Sequence, residues 1–176
     1  MRIGALHSLD VEDYDPDNQS LTTKHRPETD TTLKNQGEGE RFISLRQSTC
    51  EVLDDYISTH RPACEDEHGR EPLICSSTDH RLAKSVIRHR IYSITRPCYS
   101  GDSCPHDRDI DSCEDNNYKD SSRCPSTVSP HAIRRGSITH FLRSDIPEKA
   151  VSDRCNVSTE VLEKHYDERN SEEKME

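Results

Sequence analysis

Residues 129–142 read Ser129-Pro130-His131-Ala132-Ile133-Arg134-Arg135-Gly136-Ser137-Ile138-Thr139-His140-Phe141-Leu142, and Tyr166 follows further towards the C-terminus. Ser129 is a helix N-cap residue and Pro130 suits the first helical turn, so the spacing predicts a helix over 130–143. His131 and Arg134 stand at i and i+3 and project together from its first turn. Exposed amides and the helix dipole at that end favour a phosphate. By spacing alone, such a pair is more often an ordinary surface His and Arg, and a Tyr on a short amphipathic helix is more often core. Taken together, the set suits a chemistry in which a tyrosine attacks a phosphodiester.

Working outward, Pro147 opens a second helix running to about Cys155, and Ser158 caps a third that carries Val161, Leu162 and Tyr166. The charged tail from Asp167 reads as frayed. Upstream, residues 80–95 read as a basic amphipathic helix ended by Pro97, and residues 46–59 as a helix with Val52, Leu53, Tyr56 and Ile57 on one side. Between them lie a polar loop at 61–72 and a short buried extended piece, Leu73-Ile74-Cys75. Residues 9–45 read as β-structure broken by turns. Short pieces are expected at Leu9–Val11, 20–25 and 41–45, with a turn at 13–18 and a hairpin-type loop over 34–39. Residues 1–8 read as the end of a helix or a turn. The expected class is α+β, mostly α, with a small antiparallel sheet near the N-terminus.

Composition limits what such a chain can do. It has 176 residues, enough for one domain. Only 29% are apolar and 33% are charged, which predicts a thin core under a heavily charged surface. The net charge of -10 argues against nucleic-acid binding if read as a whole. The charge is uneven, however. Lys84, Arg88, Arg90 and Arg96 have no acid among them, and neither do Arg134, Arg135 and Arg143. Acids gather at 10–17, 65–71, 107–120 and 160–176. A basic face on an acidic body is therefore expected. The acidic balance also fits work at high salt, a reading that full folding in dilute buffer would remove. Residues 1–20 contain no apolar run and nothing approaches a membrane span, so a cytoplasmic protein is expected. Asn156-Val157-Ser158 matches a glycosylation pattern and is read as chance.

Residues 97–127 form a distinct insertion rich in Cys, Asp and Ser, too poor in aliphatics to build a core, so it needs a staple or stays disordered. Cys98, Cys104, Cys113 and Cys124 fall within it, with five, eight and ten residues between them. Four thiolates can complete a tetrahedral structural zinc site, although these spacings are not a tight Cys-x-x-Cys knuckle. His106 can replace one Cys as a ligand. The alternative is an irregular loop with reduced thiols. Cys50, Cys64, Cys75 and Cys155 are scattered and read as structural or incidental.

The stretch at 131–142 resembles the core motif of the tyrosine recombinases, the phage-type and Xer-type integrases. His131, Arg134, Thr139, His140 and Leu142 stand at that motif's places without a gap. The family's nucleophilic Tyr follows the first His by about 35 residues, and Tyr166 stands 35 after His131. Where the family has Leu-Gly-His, this chain has Cys155-Asn156-Val157, so Val157 replaces the second His; His165 and Asn156 are the residues that could compensate. Met1-Arg2-Ile3-Gly4-Ala5-Leu6 matches the family's first Arg segment in Arg2 and Gly4, with Ala5 where Glu is usual. Lys34 occupies the loop that carries the family's Lys, with Lys24 as runner-up.

The resemblance implies one catalytic domain over 1–176, a helical domain of the recombinase type, with the N-terminal DNA-clamping domain absent. It suggests an N-terminally truncated member of a haloarchaeal type. It implies site-specific DNA recombination or integration on double-stranded DNA, by copies assembled as a tetrameric synapse, with no catalytic cofactor and at most a structural zinc. Catalysis would fall to Arg2, Lys34, His131, Arg134 and Tyr166. Tyr166 would attack the scissile phosphate, the two arginines would hold its oxygens, His131 would assist proton transfer, and Lys34 would protonate the leaving 5′-oxygen. Two other readings stand beside this one. The chain could be a catalytically inactive remnant that binds DNA or a partner, or an acidic, mostly disordered interaction protein.

Overall fold

The structure, a computed structural model, describes residues 1–101 and 103–166. Two apolar clusters organise it, and each explains one half of the chain. The first gathers Leu9, Tyr14, Leu21, Ile43, Cys50 and Leu73. Leu21 and Ile43 enter it because they face each other across a three-stranded antiparallel sheet of β1 (Tyr14–Asp15), β2 (Ser20–Thr23) and β3 (Arg41–Ser44), in that order. Alternation along β3 leaves Phe42 exposed while its neighbour Ile43 is buried, as period-two patterning requires. Helix α2 (Gln47–Asp55) lays Cys50 against this sheet and continues into a wider turn over Tyr56–His60. The expected helix over 46–59 is thus a regular helix and a π-type turn.

The second cluster contains Ile138, Leu142, Val151, Cys155, Leu162 and Tyr166, drawn from α5 (Pro130–Arg143), α6 (Glu148–Cys155) and α7 (Thr159–His165). Ile138, Val151 and Leu162 are fully enclosed, and each such side chain contributes about 1.5–3 kcal/mol relative to exposure. Helix α5 has the expected bounds and cap: the Ser129 hydroxyl accepts from the Ala132 amide at 3.1 Å. Ser158 stands at the start of α7 without a side-chain cap bond, and Tyr166 lies just past its end rather than on it. Asn156 ends α6 in the left-handed conformation, at φ 50 and ψ 64.

The remaining elements differ more from the sequence reading. Residues 3–8 form a short helix, α1 (Ile3–Ser8). Leu9–Val11 is no strand; Asp10 makes one bridge to Pro72, and a 3-10 turn follows at Val11–Asp13. The link between β2 and β3 is no tight hairpin. It carries a bridge from Arg26 to Thr31 and two 3-10 turns, Pro27–Thr29 and Gln36–Gly39. Helix α3 (Lys84–Ile94) begins later than expected, because Arg81 pairs with Cys75 in extended form. Pro97 both ends α3 and starts α4 (Pro97–Ser100). No helix among the described residues is long and apolar enough to cross a membrane. The tail from Asp167, expected to fray, and the side chain of His165 lie outside the described residues.

The insertion is held by polar staples. Arg96 is buried and its Nη1 donates to the Asp115 carbonyl at 2.7 Å and to Asn116 Oδ1 at 3.0 Å. Arg108 pairs with Asp115, and the Tyr118 hydroxyl donates to the Val86 carbonyl of α3 at 3.0 Å. The Arg90 guanidinium of α3 lies over the Tyr118 ring, 5.4 Å from its centre, so part of the basic face of that helix is spent on docking this segment. Cys98, Cys104 and Cys113 are half-buried and Cys124 is buried. No three of these sulfurs converge: the one group of metal-capable side chains brought together among the described residues is Asp30, Glu67 and His68, all exposed.

Candidate active site

The two clusters meet where β3, α1, α5 and the α6–α7 turn come together, and three arginines converge there. Arg134 is placed by α5, whose Ile138 and Leu142 point into the second cluster and so turn the preceding helical position inward. Arg134 is only 8% exposed. Its Nη2 donates to the Cys155 carbonyl at 2.6 Å, and its Nη1 is buried without a hydrogen-bond partner among the described residues. Arg41 opens β3; its Nη1 donates to the Gly39 carbonyl at 2.7 Å and its Nε to the Arg154 carbonyl at 3.1 Å. Arg2 precedes α1 and donates through Nη1 to Asn156 Oδ1 at 3.2 Å.

No carboxylate pairs with Arg2, Arg41 or Arg134 among the described residues. Their proximity shows in the acidity of Arg2 and Arg41. Burial lowers the pKa of Arg2, Arg134 lowers it further, and the Tyr166 phenol opposes that drop. Burial also lowers Arg41, with Arg134 and then Arg2 adding to the effect. Three guanidinium groups thus share a partly desolvated site with the Tyr166 phenol. The Arg135 guanidinium lies over the Tyr166 ring, 5.9 Å from its centre. From there Arg135, Thr139, His140 and Arg143 line a shallow groove along the outer side of α5.

No family model matches this sequence, and no curated protein does. Solved structures do match. XerA recombinase superposes with a TM-score of 0.63 at 15% identity, over 99% of this chain and 50% of that one. The Tn1549 transposon integrase in complex with transposon right end DNA gives 0.67 at 14% identity, over 99% and 53%. The same integrase with a circular intermediate DNA gives 0.68 at 13% identity, over 99% and 52%. The fold is that of a tyrosine recombinase catalytic domain. This chain spans about half the length of the proteins it matches.

On this fold, the side chains of Arg2, Arg134 and Tyr166 lie near one another. His131 stands exposed on the first turn of α5, one turn before Arg134. Lys34 is exposed on the β2–β3 connection, and the next residue reaches the site: Asn35 donates through Nδ2 to Asn156 Oδ1. Lys24 is committed elsewhere, at 3.0 Å from Asp13. Ala5 is buried, and Val157 packs partly buried against the second cluster. Val157 therefore offers no polar group where the family's second His would stand. Two residues escaped the sequence reading. Arg41 could have been found as a cation opening a strand with no acid partner in register, while nothing in the sequence marks Asn35.

Proposed function

We propose that this chain is the catalytic portion of a site-specific DNA recombinase or integrase that cuts and rejoins duplex DNA through a 3′-phosphotyrosine. The observation that carries this reading is the buried, unpartnered Nη1 of Arg134 beside Arg2, Arg41 and Tyr166. Leaving a buried charged donor without a partner costs about 1–3 kcal/mol or more, and a cluster of cations without a counter-ion repels itself. A tetrahedral anion resolves both problems at once.

The residues distribute the chemistry as follows. The Tyr166 oxygen forms the new bond to phosphorus while the bond to the 5′-oxygen breaks. The phenol proton has to be removed as the bond forms. His131 is the group assigned to take that proton. The electron pair of the broken bond leaves with the 5′-oxygen, which takes a proton from Lys34. Arg2, Arg41 and Arg134 hold the non-bridging oxygens as charge develops on them. Attack by another 5′-hydroxyl reverses the sequence, so no metal or nucleotide is consumed. Copies of the chain would assemble on the DNA, as exchange between two duplexes requires.

The test is covalent trapping on nicked duplex DNA, read as a denaturation-resistant protein–DNA band. Wild type should form the adduct. Tyr166→Phe should abolish it while leaving DNA binding within about twofold. An adduct formed by the Phe variant would remove Tyr166 as nucleophile. Val157 favours a second reading, an inactive DNA-binding remnant. Binding of nicked DNA by wild type without any adduct would select it.

A further inference from the structure

Arg134 and Arg41 bond the last carbonyls of α6, and the first residue of the α6–α7 turn, Asn156, makes three further long-range bonds. Asn156 accepts from Arg2 Nη1 at 3.2 Å and from Asn35 Nδ2 through its Oδ1, and donates through Nδ2 to the Glu38 carbonyl at 2.8 Å. These bonds cross 154, 121 and 118 residues of chain. Two of the partners follow Lys34 closely: Asn35 precedes the 3-10 turn Gln36–Gly39 and Glu38 lies within it. A second tie to the helical half runs from the end of this segment through Arg41, which bonds the Gly39 and Arg154 carbonyls. Asn35, Gln36, Gly37 and Glu38 are all exposed, and Leu33 and Gly39 pack on each other. Asn156 is also held rigidly in its own right, as a left-handed residue closing α6.

We infer that Asn156 is a positioning residue that latches the Lys34 segment and Arg2 onto the turn below Tyr166, so that the proton donor and the phosphate clamp are set by one amide. This rests on the recombinase reading above. The physical argument is reach. Lys34 stands on an exposed connection, and a flexible lysine on such a segment samples many positions. An acid that must meet one departing oxygen loses about a hundredfold for a misplacement of about 1 Å. Anchoring the next residue in sequence, and the one four beyond, restricts where the ammonium can go. An amide suits this task because it offers an acceptor and a donor together and adds no charge to compete with the phosphate.

The test is Asn156→Gly in the full chain. Glycine adopts the left-handed conformation freely, so the α6 terminus and the fold should survive, which thermal melting checks. Adduct formation is followed on two nicked duplexes: one with the ordinary 5′-oxygen at the scissile position, the other with sulfur there. A thiolate leaves without being protonated, since thiols ionise near pH 8.5, so the sulfur substrate bypasses Lys34. The expected result is a loss of about ten- to hundredfold on the oxygen substrate and a loss at least about fivefold smaller on the sulfur substrate, the remainder being the share that acts through Arg2. Equal rates for variant and wild type on oxygen would overturn the latch. So would an equal loss on both substrates, which would assign the side chain to the fold or to Arg2 alone. If wild type forms no adduct on either substrate, the recombinase reading falls and takes the latch with it, an outcome distinct from both others.

Discussion

The arginines around Asp10 and those around Asn156 are buried alike and compensated in opposite ways. The Arg81 side chain is 9% exposed and Arg134 is 8% exposed. Arg81 pairs with Asp10 and, at 2.7 Å, with Asp66. Arg70 pairs with Asp10 as well, and Arg26 reaches Asp13 at 2.7 Å and Asp10 at 3.5 Å. Asp10 and Asp13 are themselves almost fully enclosed. Every cation in this lock has an anion. Arg2, Arg41 and Arg134 have instead main-chain carbonyls, one hydroxyl and one amide. Carbonyls satisfy hydrogens without cancelling charge, so the second group keeps a net positive field. Buried arginines are therefore charge-compensated in one half of this molecule and uncompensated in the other, and the presence of a carboxylate tells them apart.

The largest expected effect comes from breaking the lock. Asp10→Ala removes the carboxylate that faces Arg26, Arg70 and Arg81 and leaves three guanidinium groups crowded and short of charge. A loss of about 3–5 kcal/mol in unfolding free energy is expected, measured by urea titration. A loss under about 1 kcal/mol would show that the lock is no more structural than the site it is contrasted with.

That lock was the part of the fold least legible in the sequence. The acids at 10–17 and 65–71 read as solvated surface, because nothing local in them signals that Asp10, Asp13 and Asp66 turn inward to distant arginines. The same non-locality hid the start of α3: the pairing of Cys75 with Arg81 holds the chain extended across residues that have helical periodicity. By contrast, α5 was legible because its cap, its proline and its apolar spacing all lie within one segment. β2 and β3 were legible through alternation alone. At the candidate site, motif order singled out Arg2, Arg134 and Tyr166, and the fold brings those three side chains near one another. Arg41 and Asn35 were not, since their roles come from contacts with residues more than a hundred positions away.

Acid sharpens the comparison further. Burial works to raise the carboxyl of Asp13, but the bond from Arg26, the Asp10 amide and Lys24 hold it below the usual carboxylate range. Asp66 is likewise opposed by burial and held low by Arg81 and by the amides of Arg70 and His68. Groups whose pKa is lower in the folded state stabilise above the unfolded value, about 3.9, and lose that contribution as pH falls through the folded pKa. Stability should therefore decline below about pH 4, with a midpoint that Asp66→Asn makes less sensitive to acid. Melting temperature against pH from 6 to 2.5 is the measurement. An acid limb unchanged in the Asn variant would mean that Asp66 does not hold its half by charge.

The smallest effect on stability, and the sharpest contrast, is expected at Arg134. Arg134→Met keeps the unbranched stem of the side chain and removes a buried charge that has no counter-ion. The bond to the Cys155 carbonyl is lost, but so are the unpaired Nη1 and the repulsion with Arg2 and Arg41. These terms oppose each other, so unfolding free energy should stay within about 1 kcal/mol of wild type, or rise. Covalent trapping on nicked DNA should be lost in the same variant, because no methionine can hold a phosphate oxygen. A drop of several kcal/mol would place Arg134 with the arginines around Asp10, as a structural cation, and its open Nη1 would then no longer argue for a phosphate. Retained stability with lost chemistry would mean that the fold tolerates this charge only for what it binds.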